Sequence, residues 1–152
     1  MGNDIYESGK LCRYGKIQGL EKPVSRMIFG TAIGPMIEGK NADELLDAAL
    51  TKGINTFDTA RGYGWAEESL GGWMKRRGNR EQVVVISKCG NCDSDGSVCV
   101  NRKVIETELS ESLQALQTDY IDIYLLHRDD PKTPVSEMID TLNKLQREGK
   151  IK

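Results

Sequence analysis

A run of strand-forming residues, a turn and a helical stripe follow one another four times between Arg26 and Lys152. This alternation constrains the fold more than any other feature. Strands separated by a helix cannot pair as tight hairpins, and right-handed crossovers lay them parallel in one sheet. The strand candidates are Arg26–Ala32, Asn55–Thr59, Val83–Ser87 and Tyr120–Leu126. Asn41, with Glu44 three residues on, has the spacing of a capping box and opens the first helix, whose inner face is Leu46, Ala49 and Leu50 and which stops at Gly53. The second helix runs over about Ala66–Arg77, before Gly78. Ile105, Leu109, Leu113 and Leu116 mark the third, between about Asn101 and Gln117. Pro134 stands at the first turn of the fourth, whose face is Met138, Ile139, Leu142 and Leu145. Gly149 ends it, and Ile151-Lys152 reads as the opening of a fifth strand.

The segment Leu11–Ile17, with Gln18-Gly19 and Pro23-Val24, reads as a short hairpin with a glycine in its turn. The expected organisation is a leader and hairpin over 1–25, then four βα units over 26–152. A closed (β/α)8 barrel needs about 250 residues, so the expected fold class is α/β, the first half of such a TIM barrel. Its outer strands would expose unpaired backbone and apolar side chains. Further strands, self-association of two copies through the open edges, or closure of the sheet over its own helices would cover them.

Chemistry-bearing residues stand where these strands end. Asp58 and, five residues on, Tyr63 lie in Asn55-Thr-Phe-Asp-Thr-Ala-Arg-Gly-Tyr-Gly64; Lys88 follows Val83–Ser87, and His127, the single histidine, follows Leu126. Parallel barrels build active sites from loops at the carboxyl ends of their strands. Each residue alone has a plainer reading. Asp58 suits a turn, Tyr63 a packed aromatic, Lys88 a solvated charge and His127 a structural imidazole. Their joint occurrence at successive strand ends favours one shared cavity. Asp129-Asp130 reads as turn chemistry ahead of Pro131.

Composition excludes several classes. With 38% apolar and 29% charged residues and a net charge of −2, the 152-residue chain has the make-up of one ordinary soluble domain. No basic patch interleaved with aromatics suggests a nucleic-acid partner. No signal-peptide core and no run of about 18 apolar residues suggests a membrane, so a cytoplasmic location is expected. Cys89, Cys92 and Cys99 have the spacing C-x₂-C-x₆-C, but the fourth cysteine, Cys12, is far away, and reduced thiols without metal are the expectation. One histidine in the chain also argues against a metal-dependent barrel hydrolase.

The motifs Phe29-Gly-Thr-Ala32, Asn55–Gly64 extended by Ala66-Glu-Glu-Ser-Leu-Gly71, Ser87-Lys88, Leu125-Leu-His127 and Gly149-Lys-Ile-Lys152 resemble those of the aldo-keto reductases. The resemblance covers about Arg26 to Lys152 and implies the N-terminal half of an NADPH-dependent (β/α)8 enzyme that reduces aldehydes or ketones. It places the family's catalytic tetrad at Asp58, Tyr63, Lys88 and His127. It implies cofactor contacts from Gly30, Thr31, Ala32 and Asp58, with most others beyond Lys152, and no essential metal. These residues alone are then expected to be inactive. The alternative implied by the same scaffold is a regulatory binding protein, as the potassium-channel β subunits are.

The implied roles agree with the needs of carbonyl reduction, in which hydride goes to carbon and a proton to oxygen. Tyr63 is the expected acid. A free phenol titrates near 10, and a neighbouring cation, here Lys88, favours its ionised form. Asp58 would hold that ammonium, and neutral His127 would donate to the substrate oxygen. Trp65 would line an apolar substrate wall, unless it and Trp73 pack the second helix.

Overall fold

The computed structural model describes residues 12–91 and 100–152. Tyr14–Gly15 (β1) pairs antiparallel with Val24–Ser25 (β2) as the expected hairpin. Ile28–Gly30 (β3), Thr56–Asp58 (β4), Val84–Cys89 (β5) and Ile123–Leu126 (β6) then form one sheet in the order β3-β4-β5-β6, every neighbour parallel. Between them lie the helices Gly34–Ile37 (α1), Asp43–Thr51 (α2), Ala66–Arg77 (α3) and Arg102–Leu116 (α4); Val135–Arg147 (α5) follows β6. A parallel bridge from Ile121 to Ile151 starts a further pairing beside β6, as the sequence suggested.

Side-chain alternation divides the sheet into two faces. Phe57 and Val85 are wholly buried towards the helices. Phe57 lies between Phe29 and Trp73, with ring centroids 5.7 and 5.3 Å away, while the indole N–H of Trp73 donates to Asp47 at 2.8 Å. On the opposite face the register sets Asp58 beside Ile86 and Lys88 beside Leu125. Lys88 is two residues beyond Ile86 and His127 two beyond Leu125, so even spacing keeps all three site residues on this face. Ile28 and Leu125, on the same face, are 52% and 43% exposed, so its apolar surface is open.

The strands are shorter than their apolar runs because the flanking residues bond sideways. Asn55 accepts from the Ser25 N–H at 3.0 Å and donates to the Pro23 carbonyl at 2.7 Å. Buried Asp122 accepts from the Val85 N–H at 2.9 Å and pairs with Lys22 and Arg80, both at 2.8 Å. These bonds fasten the hairpin under the amino ends of the strands, opposite the candidate site. Burial drives the Lys22 ammonium below its ordinary pKa, although Asp122 opposes this.

Helix ends correct two expectations. Asn41 does not cap α2: its Oδ1 accepts from the Asp43 N–H at 2.8 Å, forming a turn before the helix, and the cap position is Ala42, with no side-chain bond. Ile139 is 51% exposed, and α5 buries Met138, Thr141 and Leu145 instead, because the hydroxyl of Thr141 bonds back to the Glu137 carbonyl at 2.7 Å and can be covered without loss. Pro134 stands just before α5. The short α1 and a 3₁₀ turn at Arg80–Gln82 carry no periodic signal and were not expected.

Asn101 caps α4, with its Oδ1 accepting from the Val104 N–H at 2.9 Å. The helix ends less favourably: Gln117 takes a left-handed conformation with φ of 53°, where a side chain is strained. Gln117→Gly should stabilise the chain by about 0.5–1 kcal/mol, read as a higher urea midpoint with unchanged slope. A lower midpoint would show that no strain is released there.

Candidate active site

Loops at the carboxyl ends of β4, β5 and β6 bring the four expected residues together. Lys88, at the penultimate position of β5, donates from Nζ to Asp58 Oδ1 at 2.7 Å, to the Thr59 carbonyl at 2.9 Å and to Tyr63 Oη at 3.4 Å. An ammonium has three donors, and here each has an acceptor. The side chains of Lys88 and Asp58 are 13% and 28% exposed, so the ion pair lies at the floor of an accessible surface. His127 completes the group edge-on to Tyr63, with 5.5 Å between ring centroids and 84° between planes.

The local backbone explains these placements. Thr59 N–H donates to the Ile86 carbonyl, Arg61 N–H to Lys88 and His127 N–H to Cys89, at 2.8, 3.1 and 2.7 Å. Each loop is thereby stitched to the neighbouring strand just beyond the regular ladder. Gly64 turns the chain with φ of 57°, and a β-carbon there would stand 2.7 Å from the Ile37 carbonyl oxygen. Only glycine allows the segment after Tyr63 to lie this close to α1.

Tyr63 Oη accepts from Lys88 and, among the described residues, donates to nothing, which leaves its own proton available. The His127 imidazole is held below its ordinary pKa, chiefly by burial and then by the charges of Lys88 and Arg128, with Asp58 opposing. Its buried Nδ1 has no hydrogen-bond partner among the described residues. A neutral ring can donate one hydrogen bond, as the orienting role requires. As the single histidine it is directly observable: its proton NMR signal should titrate with a midpoint below about 6.5. The unfolded chain would take up this proton first, so His127 should cost stability as pH falls through about 6.5, until the folded midpoint is reached. A midpoint above 6.5 would contradict this environment.

Other expected site residues are placed differently. Thr31 is fully buried, and both its N–H and its hydroxyl donate to the Asp58 carbonyl, at 2.9 and 3.0 Å. Its side chain fastens the loop. Gly30 and Ala32 are exposed on either side of it. Trp65 is 60% exposed and lies beside Gly39, where an added β-carbon would stand 3.3 Å from it, in a groove with Lys40, Asn41 and Arg76 that contains none of the tetrad residues. Trp73 is the tryptophan that packs the helix. Cys89 is the last residue of β5, and burial pushes its thiol up to about 11, so it is an inert core residue. Cys92 and Cys99 lie outside the described residues. Among the described residues no three His, Cys, Asp or Glu side chains gather as a metal site, and no helix is long and apolar enough to cross a membrane.

Sequence reasoning passed over Arg61, Glu67 and Ser87. Glu67 shares the buried stripe of α3 with Leu70, Gly71 and Met74. A carboxylate on an apolar stripe requires a buried partner, and that was the available signal.

A parallel α/β sheet that gathers a carboxylate, an ammonium, a phenol and an imidazole at the carboxyl ends of its strands has the layout of a parallel barrel. The family model described as "Aldo/keto reductase family" matches residues 26–152. The aldo-keto reductase YhdN of Bacillus subtilis is 38% identical over 137 residues, which cover 84% of this chain and 41% of the relative. The protein tas of Escherichia coli is 30% identical, covering 92% and 50%. The holo form of aldo-keto reductase AKR11C1 from Bacillus halodurans superimposes with a TM-score of 0.75 at 30% identity, covering 91% of this chain and 47% of that one. The chain belongs to the aldo-keto reductase family, and its sheet and helices are part of a (β/α)8 barrel. It spans about two fifths to half the length of these relatives.

Proposed function

We propose that the protein is an NADPH-dependent oxidoreductase that reduces small aldehydes or ketones to alcohols, with Tyr63 as the proton donor. One observation carries this reading: the Tyr63 hydroxyl accepts from Lys88 and, among the described residues, has its own proton free. Membership of the family supports oxidoreduction in general.

The residues present fit one edge of a nicotinamide cofactor. Gly30 pairs with Asp58 across β3 and β4, is exposed, and has no atom within 4 Å of where a β-carbon would stand, so a flat ring has room beside it. When bound, the cofactor would supply hydride to the carbonyl carbon. Everything else belongs to this chain. His127 would donate a hydrogen bond that holds the carbonyl oxygen near Tyr63. As negative charge develops on that oxygen, the Tyr63 O–H bond breaks and its proton completes the alcohol. Lys88 would stabilise the phenolate left behind until solvent returns the proton, and Asp58 would hold Lys88 in place.

The 152 residues alone are expected to give no measurable reduction. The assay therefore places them in the matching portion of the Bacillus subtilis relative and follows NADPH absorbance with a panel of aldehydes. Turnover that survives Tyr63→Phe at the parent rate would overturn the proposal.

A further inference from the structure

A buried carboxylate behind the tetrad takes no part in the chemistry above. Glu67 has no exposed surface, yet its Oε1 accepts from the Ser87 hydroxyl at 2.6 Å and its Oε2 from Arg61 Nη1 at 2.8 Å. Burial raises the pKa of its carboxyl, while Ser87 and Arg61 oppose the shift. Glu68 accepts a second arm of the Arg61 guanidinium at 3.2 Å. Replacing a buried ion pair with apolar residues often leaves stability unchanged or improves it, so stability alone is a weak reason for placing one here.

The partners of Glu67 are informative. Ser87 directly precedes Lys88 in β5. Arg61 lies between Asp58 and Tyr63, and its own N–H donates to the Lys88 carbonyl at 3.1 Å. A closed circuit results: the Lys88 carbonyl to the Arg61 amide, along the Arg61 side chain to Glu67, across to Ser87, and back along the chain to Lys88. The circuit clamps the Asp58–Tyr63 loop to the strand that carries the ammonium. The contact it spans is sensitive, because Lys88 Nζ and Tyr63 Oη are 3.4 Å apart, beyond the usual 2.7–3.2 Å, about where a few tenths of an ångström decide whether a bond exists.

We infer that Arg61, Glu67 and Ser87 form a brace that sets the Lys88–Tyr63 distance, which makes Glu67 a positioning residue of the proposed active site. The inference rests on the proposed function for its catalytic consequence, but its geometry can be tested without turnover.

The test uses the 152-residue chain with tyrosine labelled with ¹³C at Cζ; the Tyr63 signal is assigned by its loss in Tyr63→Phe, and Lys88→Met marks its position without the ammonium. In Glu67→Ala the signal should move more than half-way to that marker. Glu67→Gln can keep both partners, its amide oxygen accepting from Arg61 and its amide nitrogen donating to the Ser87 hydroxyl oxygen, and should leave the signal at its parent position. Should Glu67→Ala fail to fold, Arg61→Met decides, since it keeps a long side chain in place of the 23% exposed guanidinium. A parent signal in a folded Glu67→Ala or Arg61→Met chain, with only the melting temperature lowered, would reduce Glu67 to a structural role and overturn the inference. In the grafted enzyme, Glu67→Ala should lower kcat about tenfold with KM within twofold, and Glu67→Gln should restore it; an effect confined to KM would also overturn it. Activity surviving Tyr63→Phe would remove the functional reading and leave the brace to be judged on the NMR signal alone.

Discussion

Phenylalanine at position 63 should lower the turnover of the grafted enzyme by about 100- to 10,000-fold, the usual worth of a positioned general acid. That corresponds to roughly 3–5 kcal/mol on the barrier. The substitution is nearly free of packing consequences. The ring keeps its edge contact with His127, and Lys88 keeps two of its three acceptors, Asp58 and the Thr59 carbonyl. Only the proton source is lost. KM should therefore change little, because His127 still donates to the carbonyl oxygen, and the loss should fall on kcat. A loss confined to KM would instead make Tyr63 a binding residue and leave the acid unassigned.

The second large effect concerns stability and sets two adjacent glycines against each other. Gly71 lies where α3 crosses α4, and a β-carbon there would stand 2.4 Å from the Ala115 carbonyl oxygen and 2.6 Å from Leu116 Cα. Both are backbone atoms of a packed helix, so no rotamer change relieves the contact and the helices must separate. Gly71→Ala should cost about 2 kcal/mol or more, after the helix preference for alanine, about 1 kcal/mol, has been set against the overpacking. At Gly72 the nearest atom is the end of the flexible Arg76 side chain, at 2.9 Å. Gly72→Ala should therefore be neutral or slightly stabilising. Urea titration of both variants checks the pair, and equal midpoints would show that α3 and α4 are not in backbone contact.

Much of the architecture was legible because it rests on periodicity. The bounds of α3, Ala66–Arg77, agree with a reading that stopped the helix before Gly78, which takes φ of 60°. That Asp58, Lys88 and His127 share one face was not legible, because it depends on the register that sets Asp58 beside Ile86 and Lys88 beside Leu125. Strand lengths were less legible, because Asn55 and Asp122 look like strand continuations and are in fact bonded sideways into the hairpin network. The exposure of Ile139 was hidden for a related reason: Thr141 is counted as polar by its letter but hides its hydroxyl in the helix backbone.

The sequence by itself determined which residue types stand at the ends of successive parallel strands, since alternation and spacing are properties of the chain and hold for any copy of it. Tertiary structure alone decided which of them meet. The three bonds of Lys88, the employment of Thr31 by the Asp58 carbonyl and the pairing of Glu67 with Ser87 join residues 20 to 30 positions apart, and only Arg61 and Glu67 are as close as six. Such contacts are chosen by burial: a polar group taken out of water must find whatever partner the packed fold brings within reach, and no local pattern records which one that is.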